Sequence, residues 1–380
     1  MKSILQKDLW SITSFLENKN YKFNKENILT QLPEKFIDEA IEAISSWDNY
    51  APTPLIKLNK LNDELKLKNI YYKDEDKRFE LKSFKALGGA FAVYKIASEK
   101  KNIIVSTATA GNHGRSVAWG AQRLGLKCKI FISEFVSESR AEAMRNLDAE
   151  VIRVKGNYDN SLKECIEQSN KNNWEIVQDV SWEGYKEVPK LIMAGYTIMV
   201  KEIIDEINKN SITHVFLQAG VGGMAAAMIA GFAKLSENIP QFIIIEPENA
   251  DCVFQSIKNN KPTTVDIKKE TVMGGMSCGD VSSIAWEILK NSANYCLTIP
   301  DEAISTAVAL LAEKRLSNEK IIGGECAVPG VIALIGSFNN KEYLDKLKLN
   351  SESNVLLFGC EGLTDDAMYQ KLLNDGLQKI

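Results

Sequence analysis

The sequence is poor in the residues on which several chemistries depend. Two histidines, His113 and His214, serve 380 residues, which argues against a histidine-rich metal site and against a histidine triad. The seven cysteines are odd in number and show neither CxxC nor His-Cys spacing. They read as reduced thiols of a cytoplasmic protein, with no disulfide framework and no metal site. No apolar run approaches the ~18 residues of a membrane span. The start, Met1-Lys2-Ser3-Ile4-Leu5-Gln6-Lys7-Asp8, carries an early acid and lacks the apolar core of a signal peptide. A net charge of -4 leaves no basic excess to neutralise phosphates, so neither nucleic acid nor a membrane is expected as a partner. Internal repeats and low-complexity stretches are absent as well.

What remains is the composition of a soluble globular protein, 45% hydrophobic and 25% charged. At this length two domains are the default. Residues 1–50 read as a peripheral arm, and Ala51-Pro52-Thr53-Pro54-Leu55 as an extended entry, because residues before proline avoid the helical region. From about residue 102 short apolar strands alternate with helices. The strands are expected at 103–105, 128–132, 150–154 and 175–177, then at 214–217, 242–246 and 354–358. Such alternation indicates βαβ units and parallel sheets. The expected organisation is a small α/β domain at 94–207, inserted in a larger one formed by 1–93 and 208–380.

The stretch Phe79-Glu80-Leu81-Lys82-Ser83-Phe84-Lys85-Ala86-Leu87-Gly88-Gly89-Ala90-Phe91 stands out. Read as a helix from near Ser83, it has an apolar stripe at 84, 87, 91 and 94. Lys85 lies off that stripe, with Gly88 and Gly89 as its neighbours one turn on. Each glycine costs a helix about 1 kcal/mol relative to alanine. Either a flat group approaches the backbone beside Lys85, or another helix crosses there closely.

Two loops follow the strands that precede them. In Thr107-Ala108-Thr109-Ala110-Gly111-Asn112-His113-Gly114, hydroxyls and helix N-terminal amides would suit a carboxylate. The alternative is a plain strand-to-helix turn. Gln218-Ala219-Gly220-Val221-Gly222-Gly223-Met224 opens a small-residue helix, and its glycines let backbone amides converge on a phosphate. Asp179, at a strand end, reads either as a proton-transfer or amine-binding group or as a helix cap. Further small-residue loops lie at 273–280, 323–327 and 360–365. One lysine, one carboxylate-type loop and one phosphate-type loop fit pyridoxal phosphate acting on an amino acid.

The order Ser83-Phe84-Lys85, Gly111-Asn112-His113-Gly114 and Gly220-Val221-Gly222-Gly223 resembles the fold-type II pyridoxal-phosphate enzymes, the tryptophan synthase β-like group. Within it the match is closest to the diaminopropionate ammonia-lyase family. Val177-Gln178-Asp179, Trp182-Glu183-Gly184-Tyr185, Glu246-Pro247, Ala250-Asp251-Cys252 and Glu361-Gly362-x-Thr364-Asp365 carry that resemblance, which spans about 50–366. It implies two open α/β domains with mostly parallel sheets and the cofactor in the cleft between them, and a homodimer.

For the site it implies that Lys85 holds the cofactor as a Schiff base and that Asn112 bonds its phenolic oxygen. Gly220, Val221, Gly222, Gly223 and Met224 would take the phosphate, and Cys360 or Thr364 would face the pyridine nitrogen. Thr107, Thr109, Ala110, Gly111, His113 and Tyr185 would line the substrate. The implied reaction is α,β-elimination of 2,3-diaminopropionate to pyruvate and ammonia, with Lys85 as base and Asp179 near the departing amine. One departure is Ala110, where the family carries an aspartate credited with proton removal from the D-isomer. A preference for the L-isomer, or a shifted substrate, is the consequence. Another departure is Gly323-Gly324-Glu325-Cys326-Ala327, where the family tends to carry serines. The competing readings are a serine/threonine dehydratase or β-replacement enzyme of the same group, a dinucleotide-dependent dehydrogenase using residues 220–223, and a non-catalytic protein that keeps the fold.

Overall fold

The computed structural model describes Leu5, residues 9–207 and residues 212–380. The rest of the Met1 to Asp8 start, and the residues that follow the boundary expected after 207, lie outside the described residues.

The strands, in chain order, are β1 (Ser14–Glu17), β2 (Leu55–Lys57), β3 (Asn69–Asp74), β4 (Ile104–Ala108), β5 (Lys127–Ser133) and β6 (Ala149–Val154). They continue with β7 (Glu175–Ile176), β8 (His214–Gln218), β9 (Gln241–Pro247), β10 (Tyr295–Ile299) and β11 (Asn354–Gly359). Two compact units contain them. The first comprises the chain up to Gln31, Pro52–Lys77 and Met199–Ile380; the second comprises Leu32–Ala51 and Arg78–Ile198.

In the first unit a seven-stranded sheet runs in the order β1-β10-β9-β8-β11-β3-β2. Its interior pairs are parallel, and only the edge strands β1 and β2 are antiparallel. The reason is visible in the residues. Phe242, Ile243, Ile244 and Ile245 on β9 are all fully buried, as a parallel strand covered on both faces requires. The helices Gly223–Leu235 and Pro329–Phe338 supply that cover with small and apolar side chains, nearly all buried. A buried ion pair also lies here: Lys73 Nζ is 2.7 Å from Glu202 Oε2, with side chains 0% and 2% exposed. The same ammonium donates to the Thr53 carbonyl at 2.6 Å, and Thr53 Oγ1 donates to Glu75 at 2.6 Å. With its partners in place the charge is satisfied, which is the condition for burying it.

The second unit has a parallel four-stranded sheet in the order β6-β5-β4-β7. Its helices cross closely. A Cβ added to Gly89 would lie 2.5 Å from Ser116 Oγ, one on Gly120 2.7 Å from Ala90 Cα, and one on Gly195 2.8 Å from the Leu87 carbonyl. These contacts lock the Lys85–Glu99 helix between Asn112–Arg123 and Glu187–Tyr196.

The division differs from the expected inserted domain at 94–207. Residues 78–93 join the second unit because Gly88 and Gly89 pack inside it. Residues 32–51 join it too: Lys95 pairs with Glu39 at 3.1 Å, and the Trp47 ring meets Phe79, Tyr94 and Trp119. Residues 199–207 leave it, since Val200 packs against Gly231 and Glu202 against Lys73. Nor is the 1–50 stretch all peripheral arm. Trp10 is buried and β1 closes one edge of the large sheet.

Candidate active site

Lys85 is the first residue of its helix, so its side chain projects from an end rather than from a packed face. Its ammonium pairs with Asp179 Oδ2 and lies 5.4 Å from the Phe84 ring centroid and 5.8 Å from that of Tyr196. The two rings are themselves 4.7 Å apart.

Asp179 is held in place from behind. The neighbouring Gln178 carboxamide is locked: its oxygen accepts from Thr107 Oγ1 at 2.9 Å and from the Ala108 amide at 3.0 Å. Its nitrogen donates to the Ala108 carbonyl at 3.0 Å and to Tyr158 Oη at 2.8 Å. The Tyr185 hydroxyl donates to the Ile176 carbonyl at 2.8 Å and accepts from the Gln178 amide at 2.9 Å, while its ring stacks on Trp182 at 4.1 Å. Asp179 therefore emerges from a braced strand end.

His113 completes the group. Its Nε2 donates to the Val177 carbonyl at 2.8 Å, which leaves Nδ1 as the bare nitrogen of a neutral ring. That Nδ1 is buried, has no hydrogen-bond partner and stands 3.7 Å from Asp179 Oδ2. Burial pushes the imidazole pKa below its ordinary value, against the pull of Asp179. For Asp179, burial favours the neutral acid, but His113, which is charged at the low pH where this carboxyl titrates, together with the Lys85 charge and hydrogen bond, outweighs it and holds the carboxyl well below the usual range. An ionised carboxylate and a bare imidazole nitrogen thus face one small volume that suits an N–H donor.

The 107–114 loop is more self-contained than the sequence indicated. Thr107 is spent on Gln178. Thr109 Oγ1 accepts from the Gly111 amide at 2.9 Å and the Gly114 amide at 3.1 Å, capping the Asn112–Arg123 helix from within. These bonds tie the Thr107 and Tyr185 hydroxyls into the loop, while Thr109 Oγ1 accepts in both of its bonds and keeps its own proton to donate. Ala110 is exposed, and its carbonyl accepts from Arg140 at 3.3 Å. Gly111 and Asn112, at the helix start, are half-buried.

Gly88 and Gly89 also change meaning. A Cβ on Gly88 would collide with the Tyr196 ring and lie 2.5 Å from the Ile192 carbonyl, and one on Gly89 would meet Ser116. The close helix crossing accounts for this pair, and the ring that lies against Gly88 is that of Tyr196. On the sequence alone Phe84 has only a place on the apolar stripe, and Tyr196, Gln178 and Arg140 have no role of their own at the site.

In the first unit, β8 runs through Gln218 into the 220–224 loop. Gly220 is backed tightly: an added Cβ would sit 3.0 Å from Cys278 Sγ and 3.1 Å from the Gly275 carbonyl. Gly222 has φ 88°, a left-handed conformation suited to glycine. At Gly223, where the Gly223–Leu235 helix begins, an added Cβ would meet nothing within 4 Å. The first amides of this 13-residue helix have no intrahelical acceptor, and with the open space beside Gly223 they form a cradle that fits a phosphate. Val221 and Met224 flank it, Met224 being buried. Cys360, just past β11, is buried, and its Sγ donates to the Cys326 carbonyl at 3.1 Å; Thr364 is half-buried. None of the seven cysteines forms a disulfide, and among the described residues no helix is long and apolar enough to cross a membrane.

Residues 47–360 match the family described as pyridoxal-phosphate dependent enzyme. Diaminopropionate ammonia-lyase from Escherichia coli K12 is 35% identical over 351 residues, covering 86% of this chain and 88% of that one. The Salmonella typhimurium diaminopropionate ammonia-lyase is 34% identical over 360 residues. The crystal structure of the Escherichia coli enzyme, in complex with an aminoacrylate-PLP azomethine reaction intermediate, superposes with a TM-score of 0.89 at 31% identity, covering 96% of this chain and 98% of that one.

Proposed function

The chain belongs to the pyridoxal-phosphate dependent enzymes, and from that premise we propose that it catalyses α,β-elimination of 2,3-diaminopropionate to pyruvate and ammonia, preferring the L-isomer. The observation that carries this reading is the pairing of Lys85 with an ionised Asp179 beside the bare His113 nitrogen. The full-length likeness to diaminopropionate ammonia-lyases supports it.

Each unit carries residues that suit part of the cofactor. The Lys85 amine would hold its aldehyde carbon, the 220–224 amides its phosphate and Asn112 its phenolic oxygen. Cys360 or Thr364 would face the pyridine nitrogen, a neutral partner in either case. When bound, pyridoxal phosphate supplies an electron sink for the charge left on Cα after proton loss.

The chain's own side chains do the rest. Lys85, once its nitrogen is released as a free amine, takes the Cα proton of the L-isomer. Asp179 stays ionised and attracts the β-substituent as an ammonium, the form in which nitrogen departs most readily. Gln178 and Tyr185 keep that carboxylate in place through the strand end they brace. The second ammonia comes from hydrolysis of the released enamine. Ala110 stands where the resemblance places the family's second base, and its methyl group accepts no proton, so the D-isomer lacks a proton acceptor.

A cytoplasmic homodimer is part of the proposal, to be checked by fractionation and sedimentation. The deciding experiment is turnover of L- and D-2,3-diaminopropionate in separate assays, with L-serine and L-threonine as controls, following pyruvate, 2-oxobutyrate and ammonia. Faster turnover of serine or threonine would point instead to a dehydratase.

A further inference from the structure

The surroundings of the Lys85 ammonium are those of a cation site. An ionised carboxylate pairs with it, and two aromatic rings lie within 6 Å, at 5.4 Å for Phe84 and 5.8 Å for Tyr196. An imidazole nitrogen without a hydrogen-bond partner stands 3.7 Å from the same carboxylate oxygen. His113 and Tyr196 are almost completely buried, which strengthens both the ion pair and the attraction of a cation to the ring faces. A neutral hydroxyl would gain little from such walls, whereas an ammonium meets the carboxylate with its charge and has donors to spare for the imidazole nitrogen, which the Lys85 ammonium leaves without a hydrogen-bond partner.

In the reading above, Lys85 commits its nitrogen to the cofactor, and its charge leaves this cage. We propose that Phe84, His113, Asp179 and Tyr196 then form an ammonium cage that receives the β-amino group of the substrate and sets selectivity for diamino acids over β-hydroxy amino acids. Lys85 is the cage's resident cation when no substrate is present, and the substrate's β-ammonium replaces it. This deepens the proposed function and rests on it for the identity of the substrate. The cage itself belongs to the chain whatever the reaction.

Two measurements test it. In the cofactor-free Lys85→Ala protein the resident cation is gone, and calorimetry with ethylammonium is expected to show one site, with ethanol showing none. Adding His113→Gln, which keeps a donor toward the Val177 carbonyl but removes the bare nitrogen, should weaken ethylammonium about tenfold. Tyr196→Leu should do likewise, and Tyr196→Phe, which keeps the ring, should not. In the holoenzyme with Lys85 intact, His113→Gln should raise KM for L-2,3-diaminopropionate about tenfold while the inhibition constant of L-serine changes less than twofold. Equal binding of ethylammonium and ethanol, or equal loss of diaminopropionate and serine, overturns the cage. Ethylammonium binding in a protein that turns over no diamino acid would keep the cage and overturn the reaction.

Discussion

Lys85 closes an ion pair on the carboxylate of Asp179, 94 residues further along the chain. The pairing joins the start of a helix to the braced end of β7, so the two groups meet only when both are correctly placed. It also states a requirement. A lysine paired in this way is an ammonium with no lone pair, and it becomes a base only after that charge is displaced.

Asp179→Asn removes the counter-charge and leaves the shape almost unchanged. Turnover of L-diaminopropionate is expected to fall by ~10²-fold or more, the scale of a positioned acid-base or charge partner. The yellow absorbance of bound cofactor should persist and still be fixed by borohydride. Lys85→Ala should abolish both turnover and fixation. An Asp179→Asn enzyme with unchanged kcat would remove Asp179 from the chemistry.

Ala110 gives the second expected outcome. General-base catalysis contributes ~10²–10⁴-fold, so the D-isomer should react at least ~10²-fold more slowly than the L-isomer by kcat/KM. In Ala110→Asp the new carboxylate would lie near Arg140, whose guanidinium donates to the Ala110 carbonyl, and that charge favours the ionised, basic form. D-isomer turnover should rise in this variant while L-isomer turnover changes little. Complete consumption of racemic substrate at equal rates by the unaltered enzyme would sink the idea.

The alternation of apolar strands with helices was legible because parallel strands buried on both faces leave near-continuous apolar runs, as on β9. Two strands at one edge were not. The edge strand β1 is four residues long and half-exposed, too short for a periodic signal, and its interior neighbour β10 follows a helix without a strong apolar lead. Lys85, Asp179 and the 220–224 loop could be singled out because few residue types perform their chemistry. The roles of Thr107, Thr109 and Tyr185 could not be read, because a hydroxyl serves a ligand or its own backbone equally well and only the fold decides. The bare nitrogen of His113 is likewise a property of burial and of its single partner, neither of which is written locally.

The glycine pair offers a direct check on the corrected reading. Gly88→Ala would drive a methyl group into the Ile192 carbonyl and the Tyr196 ring, and overpacking of this kind costs ~1–3 kcal/mol. A lower unfolding midpoint with cofactor affinity within about twofold is expected. Gly223→Ala should behave the opposite way, since its Cβ meets nothing within 4 Å: stability nearly intact, cofactor affinity reduced. If Gly88→Ala lost the cofactor at unchanged stability, a ring rather than a helix would face that glycine.

Asp74 supplies a pH dependence that is separate from catalysis. Burial pushes its carboxyl up from 3.8 to about 6, against a lowering hydrogen bond from the Asp76 amide at 3.1 Å. The folded protein therefore binds the proton more tightly than the unfolded chain does. Stability is fully present below pH 4, declines as pH rises through the window from about 4 to 6, and levels off above it. A shift of about 2 units corresponds to at most about 3 kcal/mol. Asp74→Asn keeps an oxygen for the Asp76 amide and removes the ionisation, so it should stabilise the protein at pH 8 and have little effect near pH 4. Urea unfolding of both proteins across that range measures the gap, and a gap that does not grow between pH 4 and 6 would assign Asp74 an ordinary, solvated carboxylate.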